Sequence, residues 1–124
     1  MKNTLLVIED EPLLANLFKM VGEDIGFDVL LADDLKSIEH VLPISPSVIM
    51  MDLILPSTDP NAVFQRLIDS KCDAQLIIMS GTCRVSIENA VQEAKQLGLK
   101  SCFGITKPID LEQLTTILGR LHAS

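Results

Sequence analysis

Tryptophan and tyrosine are absent from these 124 residues, and phenylalanine occurs only four times. A surface that stacks nucleic-acid bases on aromatic rings is thereby excluded as a working reading. Basic residues are also scarce, with ten Lys and Arg against seventeen Asp and Glu and a net charge of −7. The ten are scattered, so no phosphate-backbone footprint forms, and neither direct nucleic-acid binding nor attachment to an anionic membrane is expected. The three cysteines, Cys72, Cys83 and Cys102, are odd in number and lack C-x-x-C spacing. They read as reduced thiols packed as small apolar groups. His40 and His122 stand isolated, so no zinc cluster is offered, and both read as surface residues. In "MKNTLLVIEDEP" two acids interrupt the first apolar run, which fits neither a signal peptide nor a membrane span. A cytoplasmic chain is expected.

Apolar residues, by contrast, make up 48% of the chain, enough to fill a core. They fall in two periodicities. Short runs at 5–8, 28–32, 48–51, 76–79 and 102–105 read as strands. Between them lie helical-period segments. Leu14, Leu17, Phe18, Val21 and Ile25 form the first, closed by Gly26; Leu35, Ile38 and Leu42 form the second, begun by Asp33 or Asp34 and ended near Pro43. The third starts with Asp59 as N-cap and Pro60 at its first position, followed by Val63, Phe64, Leu67 and Ile68. The fourth carries Ile87, Ala90, Val91, Ala94 and Leu97 with Gly98 past its end, and the fifth carries Leu111, Leu114, Leu118 and Leu121 behind an Asp110…Gln113 pair resembling a capping box. No repeat, low-complexity segment or linker interrupts this order, so residues 1–124 read as one domain.

Five strands alternating with five helices imply an α/β fold with a doubly wound parallel sheet, covered by helices on both faces. The favoured order is the flavodoxin-like 2-1-3-4-5. Ligands of such sheets bind outside the carboxyl ends of the strands. Strand 1 ends in Glu9 and Asp10, strand 3 in Asp52, strand 4 in Ser80, and strand 5 in Thr106, Lys107 and Pro108. Singly, each has an ordinary reading as a cap, turn or solvated residue. Together, three carboxylates, a hydroxyl and an ammonium converge on one rim. Clustered carboxylates raise one another's pKa unless a cation offsets them, and Mg²⁺ needs only one or two carboxylates with water and a phosphate oxygen. A carboxylate beside Mg²⁺, with Lys and Ser placed to neutralise oxyanions, is a phosphoryl acceptor site. Asp52, the lone acid in "VIMMDLILPSTDP", is its central group and the candidate nucleophile.

With "LLVIEDEP", "VIMMDLILPSTD", "LIIMSGT" and "GITKP" in this order, the chain resembles the receiver domain of two-component response regulators over its whole length. The resemblance implies that Asp52 accepts a phosphoryl group from a histidine kinase or a histidine phosphotransfer domain. It implies a Mg²⁺ site made by Asp10, Asp52 and the backbone carbonyl of Ile54, with Glu9 assisting through a metal-bound water. Ser80 and Lys107 would contact the phosphoryl oxygens, and the Lys107–Pro108 peptide would be cis. The domain would catalyse only its own phosphorylation and dephosphorylation and would not otherwise be an enzyme. Its switched surface would be helix 4, strand 5 and helix 5, read by a fused or separate output domain or by a second copy in a homodimer. The segment "LGLKSCFGITKPIDLEQL" further resembles receivers attached to cyclic-di-GMP phosphodiesterase domains.

Two positions depart from the family pattern. Gly104 stands where an aromatic is usual, three residues before the lysine; Phe103 is one residue off and, by strand alternation, points to the opposite face. Asp59-Pro60 replaces a frequent Asp-Gly. Rival readings are weaker. A haloacid-dehalogenase-like phosphohydrolase needs a second acid two residues after its nucleophile, where this chain has Ile54. A flavin-binding electron carrier needs a phosphate-binding loop after strand 1, where "EDEP" would repel phosphate. A receiver-like interaction module that acts without phosphorylation stays open.

Overall fold

The computed structural model describes residues 3–56, 58–81, 84–99 and 101–123, with the backbone alone at 84 and 85. Cys83 therefore lies outside the described residues. The chain order is β1 (Thr4–Ile8), α1 (Pro12–Ile25), β2 (Asp28–Ala32), α2 (Leu35–Val41), β3 (Val48–Asp52), α3 (Pro60–Asp69), β4 (Gln75–Ser80), α4 (Arg84–Leu97), β5 (Cys102–Thr106) and α5 (Leu111–Ala123). A 3-10 turn, Leu42–Ile44, carries Pro43 out of α2. All strand pairs are parallel and the sheet runs β2-β1-β3-β4-β5. The order expected from the alternating pattern is thus the order present.

The central strands are apolar between their ends because both of their faces are covered. Every residue of β3 is buried, as is every residue of β4 after Gln75. One face packs Phe18 of α1 with Leu114 and Leu118 of α5 against Leu5, Val7, Met50, Ile77 and Met79. The other packs Ile38 of α2, Phe64 and Leu67 of α3, and Ala90 and Ala94 of α4 against Leu6, Ile8, Ile49, Met51 and Ile78. Odd and even residues of each strand serve opposite faces, so one sequence run supplies both cores.

Local chemistry sets where the helices begin. Asp34, rather than Asp33, caps α2 in a reciprocal box with Ser37, and Asp59 caps α3 ahead of Pro60. Asp110 Oδ1 accepts from the backbone N–H of Glu112 at 2.9 Å and of Gln113 at 3.3 Å. At α1 the cap is Glu11, whose carboxylate accepts from the N–H groups of Leu13 and Leu14. His122 departs from the expectation of a surface histidine. It is half-buried, with its ring edge-on to Phe27 at 5.0 Å between centroids, because the last turn of α5 crosses the Gly26–Phe27 corner. His40 is exposed, as expected. Cys102 is buried and Cys72 half-buried, both as free thiols.

Candidate functional site

Register brings the strand ends to one edge. Asp52 closes β3 beside Met79 of β4, and Ser80 closes β4 beside Thr106 of β5. Glu9 follows β1, and its backbone N–H donates to the Ala32 carbonyl at 3.0 Å. Lys107 follows β5, its N–H donating to the Ser80 carbonyl at 2.8 Å, and the Lys107–Pro108 peptide is cis.

The ammonium of Lys107 lies between two buried carboxylates. Its Nζ donates to Asp52 Oδ2 at 2.8 Å and to Glu9 Oε1 at 3.0 Å. The second oxygen of each acid is held locally. Asp52 Oδ1 accepts from the Ile54 N–H at 3.0 Å, and Glu9 Oε2 accepts from the Glu11 N–H at 3.3 Å. Asp52 and Glu9 are 6% and 4% exposed, so their charges depend on these partners and not on bulk water. Asp10 is exposed at the mouth, and Glu9, Asp10 and Asp52 each offer an oxygen within 4.8 Å of the others.

Burial pushes the Glu9 carboxyl above its usual range and the neighbouring Asp52 charge adds to this, against the pull of Lys107. For Lys107, burial alone would lower the pKa. The hydrogen bonds to Asp52 and Glu9 and their charges outweigh it, so the ammonium is held above its ordinary value. Three carboxylates thus face one ammonium. The oxygen-only donor set, with one acid open to solvent, fits a hard divalent cation such as Mg²⁺.

The family model described as the response regulator receiver domain matches residues 5–119, which include the whole rim. This chain belongs to that family. The Synechocystis DNA-binding dual master transcriptional regulator RpaA is 31% identical over 122 residues, covering 96% of this receiver and 47% of that protein. The Mycobacterium tuberculosis transcriptional regulatory protein TrcR is 32% identical over 119 residues, 94% of this receiver and 44% of that protein. The chain spans a little under half the length of these curated relatives. Among solved structures, a response regulator from Colwellia psychrerythraea superposes with TM-score 0.84 at 28% identity, over 99% of this chain and 98% of that one. The receiver domain of a Pseudomonas aeruginosa sensor histidine kinase, with a magnesium ion coordinated in its active-site cleft, superposes with TM-score 0.79 at 19% identity over 100% of both chains. The last likeness is one of fold.

Each residue singled out at the strand ends lies on this receiver's rim. Ser80 is fully buried at the end of β4. Ile54 sits two residues past Asp52 and is 60% exposed; its hydrocarbon side chain gives that position no group able to move a proton. Phe103 and Gly104 divide as strand alternation requires. Phe103 packs with the α1–α5 core and Gly104 faces α4. Two features escaped the sequence reading. Glu11 as the α1 cap had a signal, because Pro12 at the first helical position makes residue 11 the cap. The contact of Ile87 with Gly104 had none, since it depends on where α4 lands on β5.

Proposed function

We propose that this receiver is a phosphorylation-controlled switch in which Asp52 takes a phosphoryl group from a phosphohistidine of a histidine kinase or phosphotransfer domain. The observation that carries this reading is the Asp52 carboxylate at the rim, held by Lys107 on one oxygen and the Ile54 N–H on the other. Those two bonds orient a buried nucleophile and give each of its oxygens a donor. A carboxylate oxygen attacks phosphorus as the phosphorus–nitrogen bond breaks, and the imidazole leaves with the electron pair and takes up a proton. Lys107 then transfers its donation from Asp52 to a phosphoryl oxygen, and the Ser80 hydroxyl contacts a second. Asp10 and Asp52 with the Ile54 carbonyl would hold Mg²⁺, and Glu9 would assist through water; bound there, the ion screens the charge between the acidic rim and the incoming phosphoryl group.

The chain works on no substrate beyond its own phosphoryl group, because Ile54 supplies no acid–base side chain for turnover. Phosphorylation changes the surface of α4, β5 and α5, which addresses a fused or separate output domain or a second copy. The longer curated relatives, both transcriptional regulators, support an attached output of that kind; the likeness of "LGLKSCFGITKPIDLEQL" to phosphodiesterase-linked receivers supports the other output class. The setting is cytoplasmic, and among the described residues no helix is long and apolar enough to cross a membrane.

Incubation with Mg²⁺ and a small phosphodonor, followed by intact-mass measurement, tests the reading. One phosphoryl group is expected on the wild type and none on Asp52→Asn. No uptake by the wild type, or equal uptake by Asp52→Asn, overturns it.

A further inference from the structure

Gly104 is a glycine in mid-strand whose backbone does not require one, since among the described glycines only Gly26 and Gly98 have positive φ. What requires it is space. A Cβ built at residue 104 would lie 2.1 Å from the Cγ2 methyl and 3.6 Å from the Cβ of Ile87. Glycine inside a strand often marks such a close approach. Ile87 is 4% exposed yet belongs to neither of the two core clusters; the bare backbone of β5 at Gly104 is what it packs on. The notch opens into a groove of about 400 Å³ between α4 and α5, lined among others by Glu88, Val91, Phe103 and Thr106. Beyond the notch, one and two turns further along, α4 meets the sheet through alanines, Ala90 and Ala94.

The Ile87 methyl cannot simply turn aside. A β-branched residue in a helix has one strongly preferred χ1, so moving Cγ2 by rotation replaces a steric clash with a rotamer penalty. A displacement at this contact must therefore be taken up by α4 as a body. The notch is also close to the rim along two covalent paths. Gly104 lies three residues before Lys107, and Ile87, in the first turn of α4, lies seven residues after Ser80.

We propose that Ile87 seated over Gly104 is a steric registration point that fixes α4 on β5 in the resting state, and that the switched state is reached by α4 lifting Ile87 out of this notch. Ile87 is a positioning residue here and touches no reacting group. The trigger rests on the phosphoacceptor reading of Asp52, whereas the registration itself does not.

Amide NMR spectra of wild type, Gly104→Ala, Ile87→Ala and Ile87→Ala/Gly104→Ala separate the parts. Gly104→Ala should shift the amide resonances of residues 88–97 and lower the urea midpoint. The double variant should return both toward Ile87→Ala, because the added methyl then fills the space vacated. Beryllofluoride with Mg²⁺ should move the same α4 resonances in wild type and produce a smaller further change in Gly104→Ala, whose α4 is already displaced. Unchanged α4 resonances in Gly104→Ala, or purely additive midpoint losses in the double variant, overturn the registration. Should Gly104→Ala fail to fold, the double variant decides alone, since only relief at a shared contact restores a folded spectrum. Phosphoryl uptake measured by mass on all four proteins keeps the two readings apart. Failure of uptake in wild type removes the trigger, and retained uptake with no beryllofluoride response in α4 overturns the switching role.

Discussion

The rim around Asp52 and the notch over Gly104 lie on the same sheet, yet opposite physics holds them. At the rim, two buried carboxylates share one ammonium, and the structure stands because charges are paired. At the notch nothing is charged, and the fit depends on a missing Cβ meeting a methyl group. A charge cluster responds to ions and to protonation over several ångströms, whereas a steric contact responds only to volume and within tenths of an ångström. Two regions held this way can be perturbed separately, one by charge and one by volume.

The largest expected effect comes from breaking the rim. Lys107→Met leaves Glu9 and Asp52 buried without their cation and should cost about 3 kcal/mol of stability, the low end for a broken buried pair because the rim is open on one side. Urea unfolding in chelator measures the loss, and added Mg²⁺ should recover part of it. An unchanged midpoint would show that the rim does not depend on Lys107. Ile87→Ala tests the other pole. It should cost about 2 kcal/mol, since a buried side chain is removed at the border of an open groove. Its loss should be the same with and without Mg²⁺, and a metal-dependent loss would collapse the distinction between the two regions.

A third effect is confined to alkaline pH. Burial pushes the Cys102 thiol up to about 11 from its usual 9.0. A folded-state pKa above the unfolded one contributes stability that is fully present below about 9 and is lost as pH rises through 11. Urea midpoints taken from pH 8 upward should therefore fall more steeply in wild type than in Cys102→Ala, and no tyrosine is present to titrate in the same window. Equal slopes would mean that β5 opens readily beside the notch. The smallest effect lies far from both regions. The Asp34 carboxyl is held below its usual 3.8 first by the Ser37 N–H and then by its hydroxyl. That cap contributes above 3.8 and is lost as pH falls through the lowered value, so the deficit of Asp34→Ala should shrink on acidification. A deficit that stays constant would rule out the charged cap.

Much of this was readable along the chain. The strands ended within a residue or two of where their apolar runs ended, because a covered parallel strand needs apolar side chains on both faces. Asp59 and Asp110 announced their helices through cap chemistry that spans three residues. The misreading of His122 has the same root: nothing near it in sequence shows that α5 returns over Phe27.

The sequence by itself determined which groups reach the rim, since strand period, caps and strand order are set by local patterning and chain connectivity. Tertiary structure alone decided which of those groups pair. Lys107 meets partners 55 and 98 residues away, and no local rule says that one ammonium will bridge both Asp52 and Glu9. Tertiary structure likewise decided that Gly104 is a space and not a hinge. The reason is physical: a glycine's backbone freedom belongs to its own residue, but the room it leaves has meaning only when another element packs into it.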